Sequence, residues 1–150
     1  MRIFRVINAG LFTTVQDLGR YGYLQYGVPI SGAMDTFSLT VANLLVANDE
    51  RDACLETTLV GPKLQALTTA QIAITGGNCS PNVNGHQVAM WQTLTLQEGD
   101  VVSFGRMENG CRAYLSVRGG INVPLLLGSR STYVRGGFGG LEGRQLKTED

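Results

Sequence analysis

Charge is sparse in this 150-residue sequence, and neither sign prevails: 12 Lys and Arg stand against 12 Asp and Glu, 16% of the chain, for a formal net charge of zero. Without a broad basic field, nucleic acid and anionic membrane surfaces are not expected partners. Long hydrophobic runs are missing too. The stretch Val123 to Leu127 is short and contains Pro124, against the roughly 20 apolar residues a bilayer span requires. Cysteine is scarce: Cys54, Cys79 and Cys111 are odd in number, widely spaced and without a CxxC pair. That excludes a disulfide framework and a zinc knuckle and leaves reduced thiols as the expectation, with Cys54 and Cys111 expected to be buried and inert. The single histidine, His86, follows Asn84-Gly85 at an expected hairpin tip, so neither a histidine-based triad nor a metal site is expected. The first residues, Met1 to Ile7, alternate apolar and polar instead of showing a charged region, an apolar segment and a cleavage site, and read as a mature cytoplasmic protein.

What the sequence does have is enough apolar content for one domain, 43% hydrophobic residues at a mean hydropathy of +0.04. It also has glycine in excess, 20 residues, about twice the usual share. Eight of these lie between Gly119 and Gly143, mixed with Arg130, Arg135 and the run Ser129-Arg130-Ser131-Thr132, which is not linker composition.

Strand signals dominate. Alternation marks Arg2 to Ile7, Leu55 to Val60, Gln71 to Thr75, Gln87 to Trp91, Thr93 to Leu96, Val101 to Phe104 and Arg112 to Val117. Asn84-Gly85 suits a two-residue type I′ turn, and Glu98-Gly99-Asp100 and Glu108-Asn109-Gly110 mark further reversals. One helix is expected after the N-cap Asp35, ending near Asn48, with Phe37, Val41, Leu44 and Leu45 as its buried stripe. Between Gly10 and Ser31, glycines, Pro29 and four rings (Phe12, Tyr21, Tyr23, Tyr26) predict a long ordered loop packed by its own aromatics. The fold class is therefore mainly β with one helix, in a single domain.

Three constellations carry polar chemistry. Gln16, Asp17 and Arg20 fall within five positions. Gln16 and Arg20 suit a carboxylate or amide substrate, Arg20 as a planar fork, while an Asp17 to Arg20 pair closing the loop on itself explains the same residues. Spacing alone favours the pair. Ser31-Gly32 leads into Asp35, where backbone N–H groups at a helix start attract anions, and simple capping accounts for Asp35 equally. Gly128 to Gly140, with Arg130, Ser131 and Thr132, lets backbone approach an anionic ligand or forms an interface loop. It has neither the P-loop nor the GxGxxG order. Glu56, between Leu55 and Thr57, faces a cavity as an acid or base, or caps a barrel edge; sequence leaves both open.

Several blocks taken together resemble one family. They are Phe12-Thr13-Thr14-Val15-Gln16-Asp17-Leu18-Gly19-Arg20-Tyr21-Gly22-Tyr23, Gly27-Val28-Pro29, Ser31-Gly32-Ala33-Met34-Asp35, Leu55 to Pro62, Ile74 to Gly77, Arg112 to Ile121 and Leu127 to Tyr133. They resemble, in order, the N-terminal half of the family of 5-oxoprolinase C subunits, also described as allophanate hydrolase subunit 2 or biotin-dependent carboxyltransferase-like. The resemblance implies a cyclophilin-like β-barrel, with residues 1–150 forming one lobe of a domain about twice as long and the Gly128 to Gly140 segment exposed where the other lobe is absent. It implies a component of an ATP-dependent amidohydrolase that opens 5-oxoproline, working with the A and B subunits of the same complex on a small amide or lactam. The alternatives it implies are a regulatory partner of the B subunit or of a sensor kinase, and the carboxyltransferase part of a urea carboxylase. No cofactor is expected on this chain alone; ATP is used by the complex. Biotin enters only from a partner, because no Ala-Met-Lys-Met acceptor occurs. The expected site comprises Arg20 and Asp35 as catalytic groups and Gln16, Asp17, Ser31, Arg118, Arg130, Ser131 and Thr132 as substrate ligands.

Overall fold

A computed structural model describes residues 2–150. Ten strands form two five-stranded antiparallel sheets. The first, in the order β1-β4-β9-β6-β7, comprises β1 (Phe4–Asn8), β4 (Lys63–Ala66), β9 (Val101–Ser103), β6 (Asn82–Val83) and β7 (His86–Gln87). The second, in the order β2-β3-β10-β5-β8, comprises β2 (Phe12–Gln16), β3 (Cys54–Thr58), β10 (Arg112–Val117), β5 (Ala70–Gly76) and β8 (Thr93–Leu96). One helix, α1 (Thr36–Leu45), crosses β10 and β5. The mainly β, one-helix reading holds. The cyclophilin-like barrel does not appear as a closed barrel: no ladder joins the two sheets among the described residues, and each keeps its edge strands. No helix among these residues is long and apolar enough to cross a membrane.

The core lies between the sheets. Val15, Leu55, Ile72, Ile74, Leu115 and Val117 point inward from the second sheet and meet Val6, Leu64, Ala66 and Val102 from the first. Their alternation along each strand is what a half-buried sheet requires. The turn between β6 and β7 has Asn84 at φ 52° and Gly85 at φ 84°, the left-handed pair of a type I′ hairpin, and leaves His86 exposed.

Four expectations need correction. Phe12 to Gln16 is a strand paired with β3 rather than loop, because the β-branched run Thr13-Thr14-Val15 alternates between two buried faces. The rings that follow do not pack on one another to close a loop: Tyr21 and Tyr26 are exposed. Gln87 to Trp91 forms a strand only at its start, and Trp91 turns into the left-handed region at φ 62°. The buried stripe of α1 is rotated: Ser38, Leu39, Ala42 and Asn43 face the sheet, while Phe37 and Leu44 are 69% and 59% exposed. Close approach to a sheet face that is itself polar favours the small and hydrogen-bonding residues of the helix.

Candidate functional site

Strand β2 delivers Gln16 and Asp17 to the edge of the second sheet, and the glycine-rich tail runs back alongside. Both the backbone N–H and the hydroxyl of Thr132 donate to the Val15 carbonyl, at 3.0 and 2.9 Å. This docking buries Ser129, Ser131 and Thr132, so the Gly128 to Gly140 segment is not exposed throughout as expected. It brings donors onto the buried Asp17 carboxylate. Oδ1 accepts from the hydroxyls of Ser129 (2.6 Å) and Ser131 (2.5 Å) and from the Gly19 N–H (2.8 Å), and Oδ2 accepts from the Arg130 N–H at 2.6 Å. Four donors around one carboxylate hold its charge without a cation in contact.

Arg20 is 1% exposed. Its Nη2 donates to the Ser131 carbonyl at 2.6 Å, its guanidinium sits 5.1 Å from the Phe138 ring centre, and its Nη1 has no hydrogen-bond acceptor among the described residues. Burial pulls its pKa below the ordinary arginine value, opposed by the Asp17 charge. Asp17 and Arg20 thus do not pair directly to close the loop; Ser131 bridges them, offering its hydroxyl to one and its carbonyl to the other. Gly139, at φ +75°, makes this possible, because a Cβ there would collide with the Ser131 carbonyl and crowd Arg20. Gln16 donates from Nε2 to Thr14 (3.0 Å) and to the Thr132 carbonyl (3.3 Å), while its buried Oε1 has no partner among the described residues.

The loop from Asp17 to Asp35 folds back on itself: the Arg20 N–H donates to the Ile30 carbonyl and the Ala33 N–H to the Asp17 carbonyl. Ser31, half-buried at φ 56°, sits in that return. Asp35 caps α1, accepting from the Ser38 N–H and hydroxyl. Beneath it, Glu56 is buried and accepts from the Met34 N–H (2.8 Å) and the Tyr114 hydroxyl (2.7 Å), while that hydroxyl accepts from the Asp35 N–H (2.8 Å). Arg112 Nε stands 3.7 Å from Glu56. Burial, with the neighbouring Glu56 charge, pushes the Tyr114 hydroxyl pKa up. Glu56 therefore anchors the helix start.

A cleft of about 560 Å³ opens beside the Asp17 cluster. Tyr21, Tyr23, Leu125 and Leu127 give it apolar surface, and Asp17, Arg51, Asp52 and Arg130 give it charge. Arg130 is steered there by its Nε, which donates to the Val123 carbonyl at 3.1 Å. Gln16, Asp17, Arg20, Arg130, Ser131 and Thr132 are thus brought together. Asp35 lines a different cleft with Met34 and Arg112, and Arg118 is turned to Gln71 (2.7 Å) at a third. Arg51 has no distinguishing signal in the sequence: in the turn after α1, among Asp49, Glu50 and Asp52, it reads as an ordinary solvated charge. Another cavity, of about 220 Å³ between the sheets, is lined mostly by aliphatic residues, with Arg2, Phe4 and Asp150 also on its wall.

The model of the carboxyltransferase domain, subdomain A and B, matches residues 26–150. The chain is 45% identical over 148 residues to the urea amidolyase of Lachancea kluyveri, covering 98% of this chain and 8% of that protein. It is 41% identical over 148 residues to the C subunit of the Escherichia coli 5-oxoprolinase, covering 99% of this chain and 48% of that relative. The crystal structure of the K. lactis urea amidolyase superimposes with a TM-score of 0.97 at 48% identity, over 99% of this chain and 9% of that one. The chain therefore spans about half of the bacterial relative and a small part of the fungal enzymes.

Proposed function

The chain belongs to the family of the carboxyltransferase domain, subdomain A and B, and from that premise we propose that it is a component of an ATP-dependent complex of the 5-oxoprolinase type. It contributes part of the cleft in which a small amide or lactam is opened. The observation that carries this reading is the Asp17 cluster, which fixes Arg130 at a cleft of small-molecule size, in a chain similar over 99% of its length to the C subunit of a 5-oxoprolinase. Opening a lactam requires its carbonyl oxygen to be activated by phosphorylation or protonation before water attacks. A fixed guanidinium beside that oxygen stabilises the negative charge that develops. In this reading Arg130 faces the substrate, and Arg20 and Gln16 position the 129–132 segment from behind. Asp35 holds the start of α1. The A and B subunits supply the remaining parts and the use of ATP.

A second reading is the carboxyltransferase part of a biotin-dependent urea carboxylase, favoured by the 45% identity to a urea amidolyase. The biotin would then arrive on a partner's carrier. A regulatory role toward the B subunit or a sensor kinase is the non-catalytic alternative. The test is ATP-dependent glutamate release from 5-oxoproline by this chain with the A and B subunits, with each component omitted in turn. Release that disappears when this chain is omitted is the expected result. A complex that forms but releases glutamate equally well without the chain overturns the first reading, and bicarbonate-dependent carboxylation of urea with a biotinylated carrier identifies the second.

A further inference from the structure

We infer that Arg51 and Arg130 form a carboxylate clamp in the cleft beside Asp17, selecting small amides or lactams that carry a carboxylate over neutral ones. The inference rests on the reading that this cleft takes the substrate. Arg130 is held at two points, its N–H by Asp17 (2.6 Å) and its Nε by the Val123 carbonyl (3.1 Å), so its two terminal nitrogens are presented in a fixed direction with no acceptor among the described residues. Arg51 is fixed through its backbone, whose N–H donates to Asp49 Oδ1 at 2.9 Å, and its guanidinium likewise has no acceptor there. Both residues line the same cleft.

The acidic groups nearby are already engaged. Asp17 is saturated by four donors and does not compete for the Arg130 fork. Asp52 accepts the Asp49 N–H at 3.1 Å and closes the turn that carries Arg51. Behind them, buried Arg20 adds a third positive charge that no carboxylate touches among the described residues. Two unengaged guanidinium groups among tyrosine and leucine side chains suit a planar carboxylate, which accepts parallel hydrogen bonds and is screened less there than in open water. A site built around such a pair discriminates against an analogue lacking the charged group, because its own donors are then left unpaired. 5-Oxoproline, the substrate indicated by the name of the bacterial relative, is a lactam with a carboxylate, whereas 2-pyrrolidinone is the same ring without one.

The test is titration of each compound into the chain, following the backbone amides of Gly19, Tyr21 and Gly128 by NMR. Expected are shifts at these amides from both compounds, with 5-oxoproline binding at least about tenfold more tightly. Arg51→Ala, at an exposed turn, should abolish that difference while leaving 2-pyrrolidinone affinity unchanged, whereas Arg130→Ala, which also removes the guanidinium facing the lactam oxygen, should weaken both compounds and 5-oxoproline the more. Equal affinity of the two compounds, with shifts at these amides, overturns the clamp and leaves the lactam cleft standing. No shift at these amides from either compound overturns both the clamp and the placement of substrate in this cleft.

Discussion

The two faces of the β2-β3-β10-β5-β8 sheet are both buried, yet they are built from opposite chemistry. The inner face carries Val15, Leu55, Leu115, Val117, Ile72 and Ile74, and packs against the first sheet without hydrogen bonds. On the outer face lie Thr14, Gln16, Glu56, Tyr114, Ser116 and Thr75, covered by α1 and by the loop that precedes it. Apart from Gln16 Oε1, their groups find partners: Thr75 donates to the Ser38 carbonyl at 2.7 Å, Ser116 to Asn43 at 2.6 Å, and Tyr114 to Glu56. The inner face stabilises through area and is indifferent to direction. The outer face fixes direction, because each pair has one satisfactory geometry and a high cost if broken. The candidate site grows from the end of the outer face, where Gln16 passes into Asp17.

Adjacent residues of β10 offer the sharpest way to break this comparison, since Leu115 points inward and Tyr114 outward. Leu115→Ala leaves a hole among buried aliphatic side chains and should cost about 2–5 kcal/mol, read as a lower urea midpoint at unchanged slope. It should leave ligand binding at the cleft intact in the folded fraction. A negligible loss would mean that the sheets collapse to fill the space and that the inner face is loosely specified. Tyr114→Phe keeps the ring and removes only the hydroxyl, leaving the Asp35 N–H and one oxygen of buried Glu56 without their partner. The expected loss is smaller, about 1–3 kcal/mol. It should couple to Glu56→Gln in a double-mutant cycle, whereas Leu115→Ala should not. Additive behaviour of Tyr114 and Glu56 would remove the directional role assigned to the outer face.

How far this arrangement could be read from sequence follows from the range of each interaction. Strands β8 and β10 were legible at their full extents, Thr93–Leu96 and Arg112–Val117, and so was the Asn84-Gly85 hairpin, because alternation and turn chemistry are local. The helix and its Asp35 cap were legible, but not which face is buried. Phe37, Val41 and Leu44 make a plausible stripe, and only the polar sheet beneath selects Ser38, Leu39, Ala42 and Asn43 instead. Strand β4, Lys63–Ala66, is as long as β8 but lacks its β-branched residues, and the two-residue β6 is too short for a periodic signal. Gln16, Asp17 and Arg20 stood out because they are close in sequence. Their junction with Ser129 and Ser131 spans more than a hundred residues, and no periodicity encodes it. Arg51 carried no local signal at all.

The thiols test whether the polar face is as dry as the apolar one. Cys54 lies on the outer face, its Sγ donating to Asn43 Oδ1 at 3.4 Å; Cys79 belongs to the core between the sheets; Cys111 is exposed, contrary to its expected burial. Burial pushes the Cys54 thiol up to about 12 and the Cys79 thiol to about 11. Both are raised above the ordinary thiol value, so folding favours the protonated forms. Their contribution to stability is complete below about pH 8.5 and fades as the pH rises through the folded values. At pH 8 a thiol reagent should label Cys111 within the mixing phase, with little effect on the midpoint. Cys54 and Cys79 should label together, at the rate of global unfolding, since the thiolate is the reactive form and neither thiol is solvated. If Cys54 labels well ahead of Cys79, α1 lifts from the sheet while the sandwich stays closed, and the outer face is then a separately opening layer whose hydrogen bonds guide the site without locking it.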